Sequence, residues 1–315
     1  MSWTNQSSVS EFLLLGLIWK PEHQLILFAL FLSMYLATVL GNLLIILAIS
    51  TDSRLHSPMY FFLSNLSFVD LCISSTIVPN MLSNHLLSSQ TISFPACLTQ
   101  MYFFIVLIVM DNFLLAVMAY DRFVAVCHPL HYTTKMTHQL WPWLCALMVT
   151  GSWGIANVNA LLHTLLMARL SFCADNKIPH FFCDMTPLLK LSCSDTHIND
   201  LMILIAGGMV ITIPLVCILV SYICITTAVL RIPSTKGKWK TFSTCGSHLA
   251  VVSLFYGTIF AVYFSPSATH SAENDIAAAV MYTVVTPMLN PFIYSLRNKD
   301  MKGALTKLLK LQLLY

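Results

Sequence analysis

The sequence contains very little charge. Aspartate, glutamate, lysine and arginine make up 9% of the 315 residues, against about a quarter in ordinary soluble domains. Hydrophobic residues make up 57%, and the mean hydropathy is +0.77. Because so few charges cannot cover a water-soluble surface, soluble, disordered and fibrous classes are excluded, and much of the surface must face lipid. The net charge of +3 is too small to indicate nucleic-acid binding.

Catalytic motifs are also lacking. The 11 histidines are scattered, and the sequence contains no HExxH, GxSxG or glycine-rich phosphate loop. Ser247 and His248 are adjacent in the chain. Neighbours on a helix point in different directions, so these two side chains do not form a nucleophile and its base. We therefore predict that the protein is not an enzyme.

Long apolar segments, in contrast, are abundant. A helix needs about 20 mostly apolar residues to cross a hydrocarbon core. Backbone groups must be paired within lipid, and the segments do not alternate as barrel strands do. We therefore predict an all-α integral membrane protein, a single domain over residues 1–315 built as a seven-transmembrane helix bundle. The predicted helices cover about residues 25–49, 59–82, 98–126, 141–168, 199–230, 241–264 and 274–296.

The basic residues predict the orientation of the bundle. Most of the 16 lysines and arginines follow helices one, three, five and seven. Cytoplasmic loops carry such an excess, so the C-terminus is expected inside and the N-terminus outside. Residues 1–24 then form an extracellular tail, in which Asn5 begins a glycosylation motif. No cleavable signal peptide is evident, so helix one is expected to act as an uncleaved anchor.

The segment after helix seven is amphipathic and basic. Leu305, Leu308 and Leu309 recur at helical spacing among lysines. Such a segment is typical of a short amphipathic eighth helix on the inner leaflet, although a solvated cytoplasmic tail is the alternative. No cysteine follows helix seven, which excludes palmitoyl anchoring of residues 297–315.

Four of the 10 cysteines fall on the predicted outer side, where disulfides persist. They are Cys97, Cys173, Cys183 and Cys193. Four cysteines allow three pairings, and their spacing does not choose among them. Three of the four lie in the loop of about residues 169–197. Crosslinks would hold this long loop over the bundle, either as a lid on a site below or as structural bracing.

Two carboxylates lie within predicted helices, Asp70 in helix two and Asp111 in helix three. A carboxylate in the membrane must face the interior and find a partner. The pair could share a sodium ion with neighbours such as Asn42 and Asn290, or stay partly protonated because two close carboxylates repel. A purely structural hydrogen-bonding role is the third interpretation.

Several sequence blocks are distributed along the whole chain. They read LHSPMYFFL at 55–63, LSFVD at 66–70, MAYDRFVAVCHPLHY at 118–132, SY at 221–222, KTFSTCGSHL at 240–249 and PMLNPFIY at 287–294. In these blocks the chain resembles the olfactory receptors, a branch of the rhodopsin-like G-protein-coupled receptors. The first and second outer regions resemble those of the tetrapod-type class. The resemblance implies a plasma-membrane receptor of olfactory cilia that binds small volatile odorants and activates a stimulatory olfactory G protein, which raises cyclic AMP.

The resemblance also implies roles for particular residues. Two disulfides carry over, Cys97 with Cys183 and Cys173 with Cys193. Arg122, at the inner end of helix three beside Asp121, would pair with a carboxylate in one state and be released towards the partner protein in the other. In similar receptors the partners of this arginine come from helices five and six, which here means Tyr222 and His248. An arginine at the membrane edge also commonly reaches for lipid head groups. Phe123 departs from the usual tyrosine beside it. The residues expected to act in activation and coupling are Asp121, Arg122, Tyr222, His248, Asn290, Pro291 and Tyr294.

The outer half of helix three indicates the ligand class. In similar receptors that bind amines an aspartate stands where this chain has Phe104, so charged amines are not expected. The apolar wall favours binding by hydrophobic burial. One or two tyrosine hydroxyls in such a site would suit a small neutral oxygenated molecule, such as an aldehyde, ketone, ester or alcohol. The predicted ligand-binding residues are Phe104, Ile105, Ile108, Ile205, Ala206, Tyr256 and Tyr263. Weaker polar candidates, which could equally form bonds between helices, are Asn159, His163 and Thr283.

Two other functions remain as alternatives. A receptor of the same superfamily for a non-odorant small molecule would share these motifs. A transporter would also use polar residues at the membrane midplane and broken helices, for which Gly207, Gly208 and Pro214 would serve. The odd number of helices and the lack of an internal repeat disfavour a transporter.

Overall fold

The computed structural model describes residues 10–16, 24–87, 91–129, 132, 140–173, 176–231, 233–263 and 272–312. Within them, six helical segments are long and apolar enough to cross a membrane, and a seventh helix contains the apolar stretch Cys245–Phe260. This confirms the predicted all-α seven-helix architecture. Asn5, the predicted glycosylation site, lies outside the described residues.

We number the membrane-crossing segments in chain order as spans 1 to 7. The first four are single helices, whereas spans 5 and 7 each contain one π-helical turn. The bounds are span 1 Gln24–Thr51, span 2 Pro58–Leu87, span 3 Phe94–Cys127, span 4 Leu140–Ala168, span 5 His197–Met202 with Ile203–Gly207 and Gly208–Leu230, span 6 Thr235–Tyr263, and span 7 Ala272–Val280 with Met281–Val285 and Thr286–Arg297.

Span 3 forms the centre of the bundle. It packs against spans 2, 4, 5 and 6, and 78% of its most apolar window is buried, against 11% for span 5. Large apolar side chains on the outside, such as Leu25 and Leu204, are exposed. An apolar exterior around a buried central helix is the arrangement that lipid requires.

A small sheet covers one end of the bundle. Strand β1 (Glu11–Leu14) pairs antiparallel with β2 (Thr91–Ser93) and parallel with β3 (Lys177–Ile178). The ring of Phe12 is fully buried in contact with Phe94 and Phe172. Residues 11–14 of the predicted tail therefore fold onto the bundle, which the sequence analysis did not anticipate. We call this end the sheet end, and the opposite end the Arg122 end.

Asparagines from neighbouring spans repair the helical bonds that two prolines remove. A proline lacks the N–H that would bond to the carbonyl four residues earlier. For Pro214 that carbonyl belongs to Val210, which accepts from Asn112 Nδ2 at 2.5 Å. The corresponding bond in span 7 joins Asn42 Nδ2 to the oxygen of Pro287, four residues before Pro291, at 3.1 Å. These two bonds fix span 3 to span 5 and span 1 to span 7.

A final helix, Lys299–Gln312, follows span 7. Met301 and Ala304 are buried where it packs against span 1 and span 7, and Lys302 and Lys307 are exposed. The predicted eighth helix is therefore present among the described residues, with an apolar and a basic side.

Candidate ligand cavity and signalling residues

A cavity of about 490 Å³ opens between spans 3, 4, 5, 6 and 7, bordered at the sheet end by the loop between spans 4 and 5. Its volume is within the range of pockets that hold small molecules. Most lining side chains are apolar. The lining comprises Phe104, Ile105, Ile108, Val109, Asn112, Asn159, His163, Pro179, His180, Asp184, Met185, Thr186, Pro187, Lys190, Ile203, Gly207, Val210, Ile211, Phe255, Ile259, Asp275 and Tyr282.

Three of the predicted ligand residues lie on the wall that span 3 provides. Phe104, Ile105 and Ile108 all line the cavity. The ring of Phe104 lies 4.9 Å from that of Phe182 and 5.8 Å from that of Tyr282, measured between centroids. The structure thus brings span 3 residues into the cavity, and their role in ligand binding stays a prediction.

The predicted cavity residues of span 5 need correction. Ile205 is 45% exposed on the outside of the bundle, and neither Ile205 nor Ala206 belongs to the cavity lining. The reason is the π-helical turn Ile203–Gly207, which changes the direction in which the following side chains point. Ile203, Gly207, Val210 and Ile211 line the cavity instead.

The two predicted tyrosines have different outcomes. The side chain of Tyr263 lies outside the described residues. Tyr256 is buried and is not part of the cavity lining; its hydroxyl donates to Asn112 Oδ1. Because Asn112 also donates to Val210, it connects spans 3, 5 and 6 at the wall of the cavity. The sequence analysis missed Asn112, for which Pro214 and its freed carbonyl were the available signal.

Of the three weaker polar candidates, two line the cavity and one does not. Asn159 and His163 both line the cavity. Thr283 does not: its hydroxyl donates to the oxygen of Ala279, and its own carbonyl accepts from the hydroxyl of Ser74. Thr283 therefore joins span 7 to span 2, which is the structural alternative considered for it.

The loop at the sheet end is held by both disulfides implied by the resemblance, Cys97–Cys183 and Cys173–Cys193. The backbone N–H of Cys183 also donates to Gln100 Oε1 at 3.0 Å. Loop residues from Pro179 to Lys190 border the cavity. The crosslinked loop thus both braces the bundle and covers the site.

The loop brings titratable groups to the cavity. Burial raises the pKa of Asp184 to about 6, with a further contribution from the charge of Asp275. The Asp184 carboxylate nevertheless accepts from the N–H of Met185 at 2.7 Å, which opposes that shift. Burial lowers the pKa of His180 to about 4, so its ring is neutral at pH 7. Lys190 is the cationic side chain of the lining.

We predict that Asp184→Asn stabilises the protein at neutral pH. The folded carboxyl has the higher pKa, so its ionisation destabilises the fold at pH values above about 6, and this cost disappears as the pH falls towards 4. Asparagine keeps the acceptor for Met185. Thermal unfolding of the purified receptor should show a midpoint raised by about 2 °C or more at about pH 7.5, and a smaller difference at about pH 4.5. A difference that is independent of pH would contradict the role of the carboxylate.

The two membrane carboxylates and two asparagines each have a buried oxygen without a hydrogen-bond partner. Asn290 Nδ2 donates to Asp70 Oδ2 at 2.9 Å. Asp70 Oδ1, Asp111 Oδ1, Asn42 Oδ1 and Asn290 Oδ1 are buried and accept no hydrogen bond. Unpaired buried acceptors are costly. Such a set of carboxylate and amide oxygens fits a small hard cation, which prefers oxygen ligands.

At the Arg122 end, the predicted signalling residues contact one another in an unexpected way. The Tyr222 hydroxyl lies 2.7 Å from His248 Nδ1, and His248 Nε2 lies 3.0 Å from the oxygen of Leu115. Arg122 is buried, and its Nε has no hydrogen-bond partner. The expectation that Tyr222 and His248 bind Arg122 is therefore corrected: among the described residues they bind each other.

Asp121 likewise pairs differently from the expectation. Its carboxylate accepts from the Tyr132 hydroxyl at 3.4 Å. Within the described ranges, the ion pair present is Arg54 with Asp52, and Asp121 forms none with Arg122. Neighbours in a helix diverge, which explains why adjacent opposite charges do not meet.

The predicted activation residues of span 7 lie close to span 1. A Cβ on Gly41 would lie only 3.0 Å from Cβ of Pro291, so glycine permits this approach. Tyr294 is buried, and its hydroxyl has no partner. This part of span 7 contains Asn290, Pro291 and Tyr294. Asn42 donates to the Pro287 carbonyl in place of the backbone N–H that Pro291 lacks, and the Tyr294 hydroxyl is unbonded.

The seven apolar helices define a multi-pass membrane protein, and the cavity among spans 3 to 7 has room for a small molecule. The sequence model for "Olfactory receptor" matches residues 31–312. The chain is 73% identical over 312 residues to olfactory receptor 1f45 of Rattus norvegicus, covering 99% of this chain and 98% of that protein.

Further relatives show the same full-length similarity. Olfactory receptor 1F1 of Homo sapiens is 72% identical over 307 residues, or 98% of this chain and 97% of that protein. Olfactory receptor 1M1 of Mus musculus is 59% identical over 305 residues, or 97% and 96%. The chain belongs to the olfactory receptor family. It is an odorant receptor and not an enzyme, as the sequence analysis predicted.

Proposed function

We propose that the receptor binds a small, mostly apolar and neutral volatile molecule in the cavity between spans 3 and 7. The observation that carries this proposal is the enclosed lining, in which apolar side chains of spans 3, 5 and 6 predominate. Burial of apolar surface supplies most of the affinity for such a ligand, at about 25 cal/mol per Å². Few polar groups are then needed to orient it.

The ligand is proposed to act through Asn112. This side chain lines the cavity and bonds both to span 5 at Val210 and to span 6 at Tyr256. A ligand shifts a conformational equilibrium only by as much as it binds the active arrangement more tightly. A ligand that fits better after spans 5 and 6 move relative to span 3 would therefore favour the active state.

Movement of spans 5 and 6 would reach the opposite end of the bundle. Tyr222 and His248 belong to these two spans and bond to each other near Arg122. We propose that this end faces the cytoplasm, as the excess of basic residues there indicates. Separation of the two spans would let Arg122 turn towards a stimulatory olfactory G protein, and cyclic AMP would rise. The sheet end and its disulfides would then lie outside the cell.

The coupling can be tested in cells that lack their own stimulatory α subunits. The chain is expressed there with either the olfactory stimulatory α subunit or an inhibitory one, and cyclic AMP is measured across neutral volatiles. We expect a dose-dependent rise only with the stimulatory subunit. Silence at verified surface expression would contradict the proposal. It would favour a non-odorant ligand or, if no G protein responds to any ligand, transport.

We further propose that Asp70 and Asp111 hold a sodium ion. The four buried oxygens without partners support it. An ion there would join spans 2 and 3 to Asn290 of span 7, and would stabilise the arrangement in which these spans are close. The ion would thus favour one state of the receptor over the other.

Sodium dependence provides the test of this site. Replacing external and internal sodium by a large organic cation should lower the odorant concentration for half-maximal response in the wild type by about threefold or more. In Asp111→Asn the same replacement should have no effect, because one anionic ligand is lost. Surface-exposed Asp300→Asn is the control and should respond as the wild type. An equal sodium effect in all three proteins would refute the site.

A further inference from the structure

The membrane spans contribute five polar residues to the cavity lining: Asn112, Asn159, His163, Asp275 and Tyr282. Both polar groups of the Asn112 side chain already have hydrogen-bond partners: Nδ2 donates to the oxygen of Val210, and Oδ1 accepts from the Tyr256 hydroxyl. A ligand could bond to it only by breaking one of these contacts. Asp275 and Tyr282 of span 7 also interact with other residues. The two polar residues of span 4, Asn159 and His163, are therefore the ones considered for recognition of a polar group on a ligand.

Asn159 has an unused acceptor. Its side chain is 7% exposed, and Oδ1 is buried without a hydrogen-bond partner. The nearby Asn157 shows the contrasting structural role: its Oδ1 accepts from Tyr102 at 2.6 Å and its Nδ2 donates to Trp153. Buried acceptors are rarely left unpaired. Because Asn159 lines the cavity, a rotation of its amide would offer Oδ1 to a donor on a ligand.

His163 lies one helical turn further on the same face. It is 3% exposed and lines the cavity, and no hydrogen bond joins it to another described residue. A neutral imidazole carries one donor and one acceptor. Residues four apart on a helix are neighbours, so His163 and Asn159 can contact a single ligand group together.

We infer that Asn159 and His163 form a subsite that selects ligands carrying a hydroxyl group. The hydroxyl donates to Asn159 Oδ1 and accepts from the N–H of His163, while the carbon skeleton lies against Phe104, Ile108 and Phe255. This inference rests on the proposed function and narrows its ligand class. Alcohols and phenols fulfil both bonds.

Carbonyl compounds and ethers fulfil only one of them. An aldehyde, ketone, ester or ether can accept from His163 but has no proton for Asn159. The amide oxygen then stays unpaired after the ligand has displaced water from the cavity. The loss of one hydrogen bond together with an unpaired buried acceptor corresponds to about tenfold or more in affinity.

The test uses pairs of odorants in which a methyl group replaces the hydroxyl proton. Octan-1-ol, menthol and 2-phenylethanol are each compared with the corresponding methyl ether, and cyclic AMP is recorded over concentration. In the wild type, the alcohol of at least one pair should reach half-maximal response at about tenfold lower concentration than its ether. Asn159→Leu, which keeps size but lacks the acceptor, should bring that ratio to about one by weakening the alcohol alone.

Further variants distinguish loss of ligand recognition from a general effect on the structure of span 4. His163→Phe should also reduce the ratio, and His163→Gln should restore part of it. Val158→Leu is the control, because Val158 is 69% exposed on the outside of the same helix and should leave the ratio unchanged.

An unchanged ratio in Asn159→Leu, or equal weakening of alcohol and ether, would overturn the subsite. A wild type that responds to carbonyl volatiles but to none of the alcohols would also overturn it while leaving the proposed function intact. A wild type at the cell surface that responds to no volatile at all would contradict the proposed function itself, and the subsite with it.

Discussion

We expect Arg122→Ala to remove most of the proposed odorant-dependent rise in cyclic AMP, although the variant should still reach the cell surface. Arg122 is buried, and its Nε lacks a partner in this arrangement. A guanidinium has five N–H donors, and an alanine cannot replace them for the G protein. We expect the maximal response to fall at least tenfold, measured as cyclic AMP at equal surface expression by antibody labelling.

A second arginine serves as the matched control for this variant. Arg169 is exposed at the sheet end of span 4. Its replacement by alanine removes the same charge from the chain and should leave the response within about twofold of the wild type. A full cyclic AMP response from Arg122→Ala would show that Arg122 does not take part in coupling.

Cys97→Ser has the second large expected effect, the loss of the folded receptor from the cell surface. The disulfide to Cys183 closes a loop of 86 residues, and both sulfurs are fully buried at the end of span 3. Chain-entropy arguments give such a crosslink about 4.6 kcal/mol. A membrane protein with an ordinary margin of stability would then fail quality control. Surface labelling should fall to about a tenth of the wild type or less.

The disulfide Cys173–Cys193 provides the comparison. It spans only 20 residues, for which the same argument gives about 3.3 kcal/mol. Cys173→Ser should therefore lower surface labelling less than Cys97→Ser, and a larger loss from Cys173→Ser would contradict this order.

The sequence predicted the spans well because lipid imposes one dominant constraint on a membrane helix. A window such as Leu25–Ile49 lacks charge for its whole length, and no other fold satisfies its backbone in a bilayer. By the same reasoning Phe104, Ile105 and Ile108 could be assigned to an apolar cavity wall. The long-range strand at Phe12 could not be predicted, since its pairing partners are far apart in the chain.

Three site residues were missed or misassigned from the sequence, each for a different reason. Ile205 was expected in the cavity wall, but it lies in the π-helical turn Ile203–Gly207 and is exposed on the outside. Asn112 was overlooked because its importance depends on a carbonyl of span 5 that only packing brings to it. The partners of Arg122 were misassigned because the resemblance does not say which conformational state a chain adopts.

The measurement that decides whether this cavity is the odorant site is a dose-response comparison of two tryptophan variants of span 3. Ile108→Trp fills the cavity, whereas Phe103→Trp changes a side chain that is 50% exposed on the outside of the same helix. At equal surface expression, we expect cyclic AMP responses to neutral volatiles to be lost in Ile108→Trp and kept in Phe103→Trp. Equal responses from both variants, with unchanged half-maximal concentrations, would show that odorants bind elsewhere.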